Sequence, residues 1–123
     1  AQRGAQIFNE IGCAACHTPV MMTGPNAAIP ALDRRPVALF SDLLLHDVGT
    51  GDNIPQGAAN GNEFRTAPLW GMRQRKMLLH DGRALSAGQA IEQHGREGER
   101  SRRNYRGLPP EDRQTLVAFL NSI

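Results

Sequence analysis

Apolar positions along this chain recur at helical spacing in three places and nowhere settle into a strand-like alternation. In residues 2–12, QRGAQIFNEIG, Ile7, Phe8 and Ile11 share one face, and Gly12 can end the helix. In the last stretch, LPPEDRQTLVAFLNSI, Pro109 and Pro110 open a helix and Glu111 and Asp112 suit its positive end. Leu116, Phe119, Leu120 and Ile123 form its apolar stripe. Ser86 is an N-cap candidate for a third helix running to His94 and stopped by Gly95.

Between these segments the pattern is irregular. Residues 18–38 carry Pro19, Gly24, Pro25, Pro30 and Pro36 and read as loop. Residues 38–49, ALFSDLLLHDVG, fit a short helix or an extended segment equally well. Residues 50–63 form a long polar loop, which in a small domain needs a function or something to wrap. Residues 66–84 read as helical turns broken by Pro68, Gly71 and Gly82, and a charged segment, REGERSRRNYRG, follows at 96–107. The expected fold is all-α: one small helical domain, 1–123, with long loops and a class I cytochrome c-like crossing of the first and last helices. Gly4 would permit that close approach, to Phe119 or Tyr105.

Composition changes this picture in one respect. Only 5% of the 123 residues are aromatic, so few large side chains are present to fill a core. A bound apolar group would supply the missing volume. The charge of +2 and pI of 8.9 do not demand nucleic acid, and no fold motif or stacking platform accompanies the arginines. No apolar run is long enough to span a membrane.

The only two cysteines lie in IGCAACHTP. Cys13, Cys16 and His17 supply at most three zinc ligands, where a structural site needs four. A thioredoxin-like dithiol wants a preceding strand, and here a helix precedes it. A Cys13–Cys16 disulfide would close a tiny loop and stabilise little. The remaining reading is covalent attachment of one c-type haem, with His17 as proximal ligand. His46, Met72, Met77, His80 and His94 are candidates for the other face of the iron, with Met21 and Met22 weaker, and spacing does not rank them. Each methionine is equally readable as core filler. His46 and His80 are each followed by an aspartate, which could hydrogen-bond or orient them.

The segments IGCAACHTP, LFSDLLLHDVG, EFRTAPLWGM, LLHDGRA, AIEQHG and LVAFLNSI occur in this order in the di-haem oxidoreductases, also described as thiol oxidoreductases. The chain resembles the C-terminal haem domain of that family over nearly its whole length, and more distantly that of bacterial di-haem cytochrome c peroxidases. The resemblance implies that His94 stands where those relatives place the distal ligand, giving His17/His94 ligation. It implies a haem-propionate role for Arg65. Trp70 is a candidate for the haem face or edge and reads more simply as core. The resemblance also implies a second, N-terminal haem domain for peroxide chemistry, whereas this chain carries one haem motif.

The expected function is therefore electron transfer by a bis-histidine, low-spin haem c. The alternative is a haem enzyme with an open or exchangeable distal site, in which His46 and His80 would do acid–base work. The expected partner is a redox protein, acidic or part of a multihaem assembly, reached through Arg73, Arg75 and Lys76. The arginines at 96, 100, 102, 103 and 106 read rather as a solvated face balanced by Glu97 and Glu99. Haem attachment of this kind takes place outside the cytoplasmic membrane, so the expected location is periplasmic.

Overall fold

The computed structural model describes residues 1–123. Four α-helices, α1 (Gln2–Glu10), α2 (Ala87–Glu92), α3 (Glu99–Gly107) and α4 (Pro110–Leu120), are accompanied by four two-residue strands. The strands pair antiparallel as β1 (Met21–Met22) with β2 (Pro36–Val37) and β3 (Leu45–His46) with β4 (Phe64–Arg65).

The all-α expectation is thereby corrected: 38% of the chain is helical, 3-10 turns included, and 10% is strand or isolated bridge, with two small antiparallel sheets, so the fold mixes α and β. The physical reason is the need to satisfy backbone polar groups in the long irregular segments. Two extended stretches meeting side by side do this with a ladder. A two-residue ladder is too short to print an alternating pattern on the sequence. Residues 38–49 accordingly resolve as extended chain, with Leu45 opposite Arg65 and His46 opposite Phe64. The polar loop 50–63 closes on itself between β3 and β4, where the amides of Asp52 and Asn53 both donate to Gly61 O at 3.0 Å.

The helical ends behave as their residues dictate. Ile7, Phe8 and Ile11 are buried at 0%, 2% and 4% exposure, and the chain leaves α1 through Gly12 at φ +96°. Leu116, Phe119 and Leu120 are the buried stripe of α4. The two helices cross at Gly4, where a Cβ would lie 2.4 Å from Phe119 Cβ and 2.6 Å from Thr115 O. Only the absence of a side chain lets the backbones meet there. Arg3 adds an exposed ion pair across the crossing, 2.9 Å from Asp112.

The scarce aromatics are concentrated at this junction. Phe8, Phe40 and Phe119 meet edge-on, with ring centroids 5.6–5.9 Å apart. The two buried rings, Phe8 and Phe119, each contribute about 1.5–3 kcal/mol through burial, and Phe40 is partly buried. The cluster forms the floor on which His17 stands, 6.5 Å from the Phe8 ring centroid. Met72 is core here, whereas Trp70 is 49% and Met77 67% exposed.

Candidate functional site

The exit of α1 is a single tight turn. Cys13–Ala15 form one 3-10 turn, and His17 N donates to Cys13 O at 2.9 Å. This places both thiols and the imidazole on consecutive corners of one loop. The thiols are free and partly buried. Burial pushes the Cys13 thiol up to about 11, and burial together with Asp42 and Glu97 raises Cys16.

His17 is oriented by backbone. Its Nδ1 lies 3.0 Å from Phe40 O, and Phe40 sits at φ +51°, a left-handed conformation uncommon for a bulky residue. The same bend places the Phe40 ring in the aromatic cluster.

His94 arrives from the opposite direction. Ser86 caps α2, its hydroxyl accepting from Gln89 N at 3.2 Å. The chain leaves the helix through Gln93, and His94 Nδ1 then lies 2.7 Å from Ala90 O. Gly98 closes the following turn beneath it; a Cβ there would come within 2.9 Å of His94 Cβ. Gly95 N donates to Val48 O at 2.8 Å, tying this turn to the 40–49 segment that also holds His17.

The two imidazole rings have centroids 6.4 Å apart and planes inclined by 48°. On both rings Nδ1 is engaged by a carbonyl and Nε2 is the nitrogen left over. Two imidazoles bonded through Nε2 to one metal ion at about 2 Å each would have centroids about 6 Å apart. The pair therefore fits an ion between them, and carbonyls on the remote nitrogens are the usual outer partners of metal-bound histidines. Burial lowers the pKa of both rings, keeping them in the neutral form a metal requires. The flanking thiols and the aromatic floor suit a flat apolar ring around that ion.

The sequence profile of the family described as "Di-haem oxidoreductase, putative peroxidase" matches residues 1–123. The chain belongs to the di-haem oxidoreductase family. No curated protein and no solved structure matches it significantly. Family membership makes this a haem-binding, oxidoreductase-type chain. No helix is long and apolar enough to cross a membrane.

The other histidine candidates of this di-haem oxidoreductase chain have side-chain partners of their own. His80 stacks on Phe64 with ring centroids 3.8 Å apart, its Nε2 3.5 Å from Asp52. His46 has Glu97 Oε2 at 2.9 Å from Nδ1 and Asp42 Oδ2 at 2.8 Å from Nε2. The aspartate that follows each histidine in sequence is not its partner. Asp47 pairs with Arg96 at 3.0 Å, and Asp81 pairs with Arg83. Arg65 is exposed on β4 and lines a surface cavity of about 360 Å³ with Leu45, Ile54 and Phe64.

Sequence reasoning missed the orienting carbonyls of Phe40 and Ala90, because a backbone acceptor leaves no residue-type signature. It also missed Asp42 as a partner of His46, although the four-residue separation was visible.

Proposed function

We propose that this chain is a c-type cytochrome domain that carries electrons through one haem. Cys13 and Cys16 would hold the group by thioethers, and His17 and His94 would ligate its iron from opposite faces. The bound group would supply a one-electron ferric/ferrous couple. The observation that carries the reading is the His17–His94 pair, 6.4 Å between centroids with both Nδ1 atoms engaged.

The residues have distinct tasks in this reading. Phe40 O and Ala90 O hold each imidazole in one tautomer, with the proton on Nδ1 and the lone pair on Nε2. The Phe8, Phe40 and Phe119 rings keep water from the His17 side. Two imidazoles favour the ferric state relative to a methionine on one side, so the potential is expected to be low. His46 is held on both ring nitrogens by carboxylates and His80 stacks on Phe64 with Asp52 beside its Nε2, which favours the carrier over an enzyme using them beside the iron.

Two further features belong to the proposal. Attachment through thioethers implies export to the periplasm. Arg73, Arg75 and Lys76 are all exposed and form no ion pair, whereas three of the five arginines of the second cluster, Arg96, Arg102 and Arg106, are paired with acidic residues. The first cluster is therefore the better docking patch for an acidic redox partner.

The test is optical spectroscopy of the protein expressed with a haem-attachment system. Low-spin ferric and ferrous spectra without a methionine-to-iron charge-transfer band are expected, together with a haem that survives acid-acetone extraction. A high-spin ferric spectrum or rapid reaction with peroxide would overturn the carrier reading. A methionine band would move the distal ligand away from His94.

A further inference from the structure

His46 is the one histidine whose two ring nitrogens both meet carboxylates, Glu97 Oε2 at 2.9 Å and Asp42 Oδ2 at 2.8 Å. An ionised carboxylate only accepts hydrogen bonds, and a neutral imidazole has a single N–H to donate. Both contacts are hydrogen bonds only when the ring carries two protons. The arrangement is thus built for an imidazolium. The two nitrogens of an imidazole diverge, so one metal ion could not bind His46 together with both carboxylates. The cation this cluster selects is a proton.

Its position links it to the haem-attachment loop. The ligand atoms of Cys16, Asp42 and His46 all lie within 4.8 Å of one another. In the reading above, Cys16 Sγ is bonded to the edge of the haem. The remaining charges around His46 are accounted for. Asp47 and Arg96 neutralise each other at 3.0 Å, while Asp47 N and Leu44 N donate to Glu97 and Asp42. His17 and His94 have their Nδ1 atoms engaged by carbonyls. Glu97, with 54% of its side chain exposed, connects the cluster to solvent.

We propose that His46 is a redox-linked proton site, an inference that rests on the haem-carrier reading. When a redox partner delivers one electron to the ferric centre, the charge there falls by one. In the pH range where His46 is otherwise neutral, one proton from solvent then adds to its free nitrogen, and the total charge of the domain is unchanged. The proton leaves to solvent when the electron leaves. The flanking carboxylates hold the pKa of His46 above the ordinary histidine value, as expected for a ring paired on both sides. Reduction raises it further. The potential should therefore be highest at low pH, fall through a window above about pH 6.5, and level off beyond it.

The experiment is a spectroelectrochemical titration of the haem-loaded protein from about pH 6 to about pH 9, on wild type, His46→Gln and Glu97→Gln. The expected result is a wild-type potential that falls with pH. His46→Gln should lie below wild type at the acid end and lose the fall, and Glu97→Gln should shift it to lower pH. A wild-type potential independent of pH would overturn the inference, as would His46→Gln retaining the full wild-type dependence. Should His46→Gln not load haem, proton uptake on photoreduction of wild type, followed with an indicator dye, decides the matter: no uptake refutes it. The spin state, read in the same cuvette, reports separately on the carrier reading. A low-spin spectrum with a flat potential defeats only the proton site, and a high-spin spectrum defeats the reading beneath it.

Discussion

His94 and His46 lie on neighbouring segments, joined where Gly95 N meets Val48 O and Glu97 N meets Asp47 O, yet their chemistry is opposed. His94 is partly buried and held by one backbone carbonyl, which leaves a lone pair free and lowers its pKa through burial. His46 is held by two carboxylates, which leave no lone pair free and raise its pKa. One environment leaves an imidazole a free lone pair and the other suits it to carry two protons. What differs is the partner: a neutral carbonyl fixes a tautomer, whereas a pair of carboxylates stabilises a charge.

The largest effect should come from exchanging the two residues' fates. His94→Ala is expected to convert the ferric protein from low-spin to high-spin and to let the ferrous form bind carbon monoxide. His46→Gln should leave the spin state unchanged. If the two variants gave the same spectrum, the distinction between them would collapse.

Next comes Gly98→Ala, which places a Cβ 2.9 Å from His94 Cβ. Overpacking of this kind costs about 1–3 kcal/mol, seen as a lower urea midpoint. Part of the ferric haem should become high-spin as His94 is pushed aside. A variant with wild-type midpoint and spectrum would show that the turn yields freely.

The pH dependence of stability should separate the histidines by sign. In the haem-free chain, burial holds the folded pKa values of His17 and His94 below the ordinary one, so the unfolded chain takes protons first as pH falls. Their contribution is therefore present above about pH 6.5 and lost on acidification. His46 has a raised value, so its contribution is full below about pH 6.5 and fades as pH rises through the folded value. Urea midpoints of wild type and His46→Gln should accordingly converge toward alkaline pH, and divergence there would contradict the pairing.

Smallest is Ser86→Ala, which removes the hydroxyl that accepts from Gln89 N and should cost about 1 kcal/mol. Because α2 carries Ala90 O to His94, the loss should speed carbon monoxide capture by the ferrous protein, with no change in the titration of His46.

Much of the helical frame was legible in the chain. The Ile7, Phe8 and Ile11 face, the Ser86 cap and the Pro110 start all act within a few residues of themselves. The strands were not legible, because β3 and β4 are each two residues long and exist only where two loops happen to adjoin. The charged run at 96–107 concealed α3, whose buried anchor is the single residue Tyr105.

The same division applies to the site. Cys13, Cys16 and His17 are a local constellation, set by the turn that follows α1, and their spacing carries its chemistry in the chain itself. The resemblance pointed to His94, but spacing alone left five residues level. Tertiary structure brought His94 opposite His17, buried Met72, exposed Met77, stacked His80 on Phe64 and enclosed His46 between carboxylates. Sequence determined what each side chain is able to do. Which histidine keeps a lone pair depends on groups brought from distant segments, and those contacts exist only once the chain has folded.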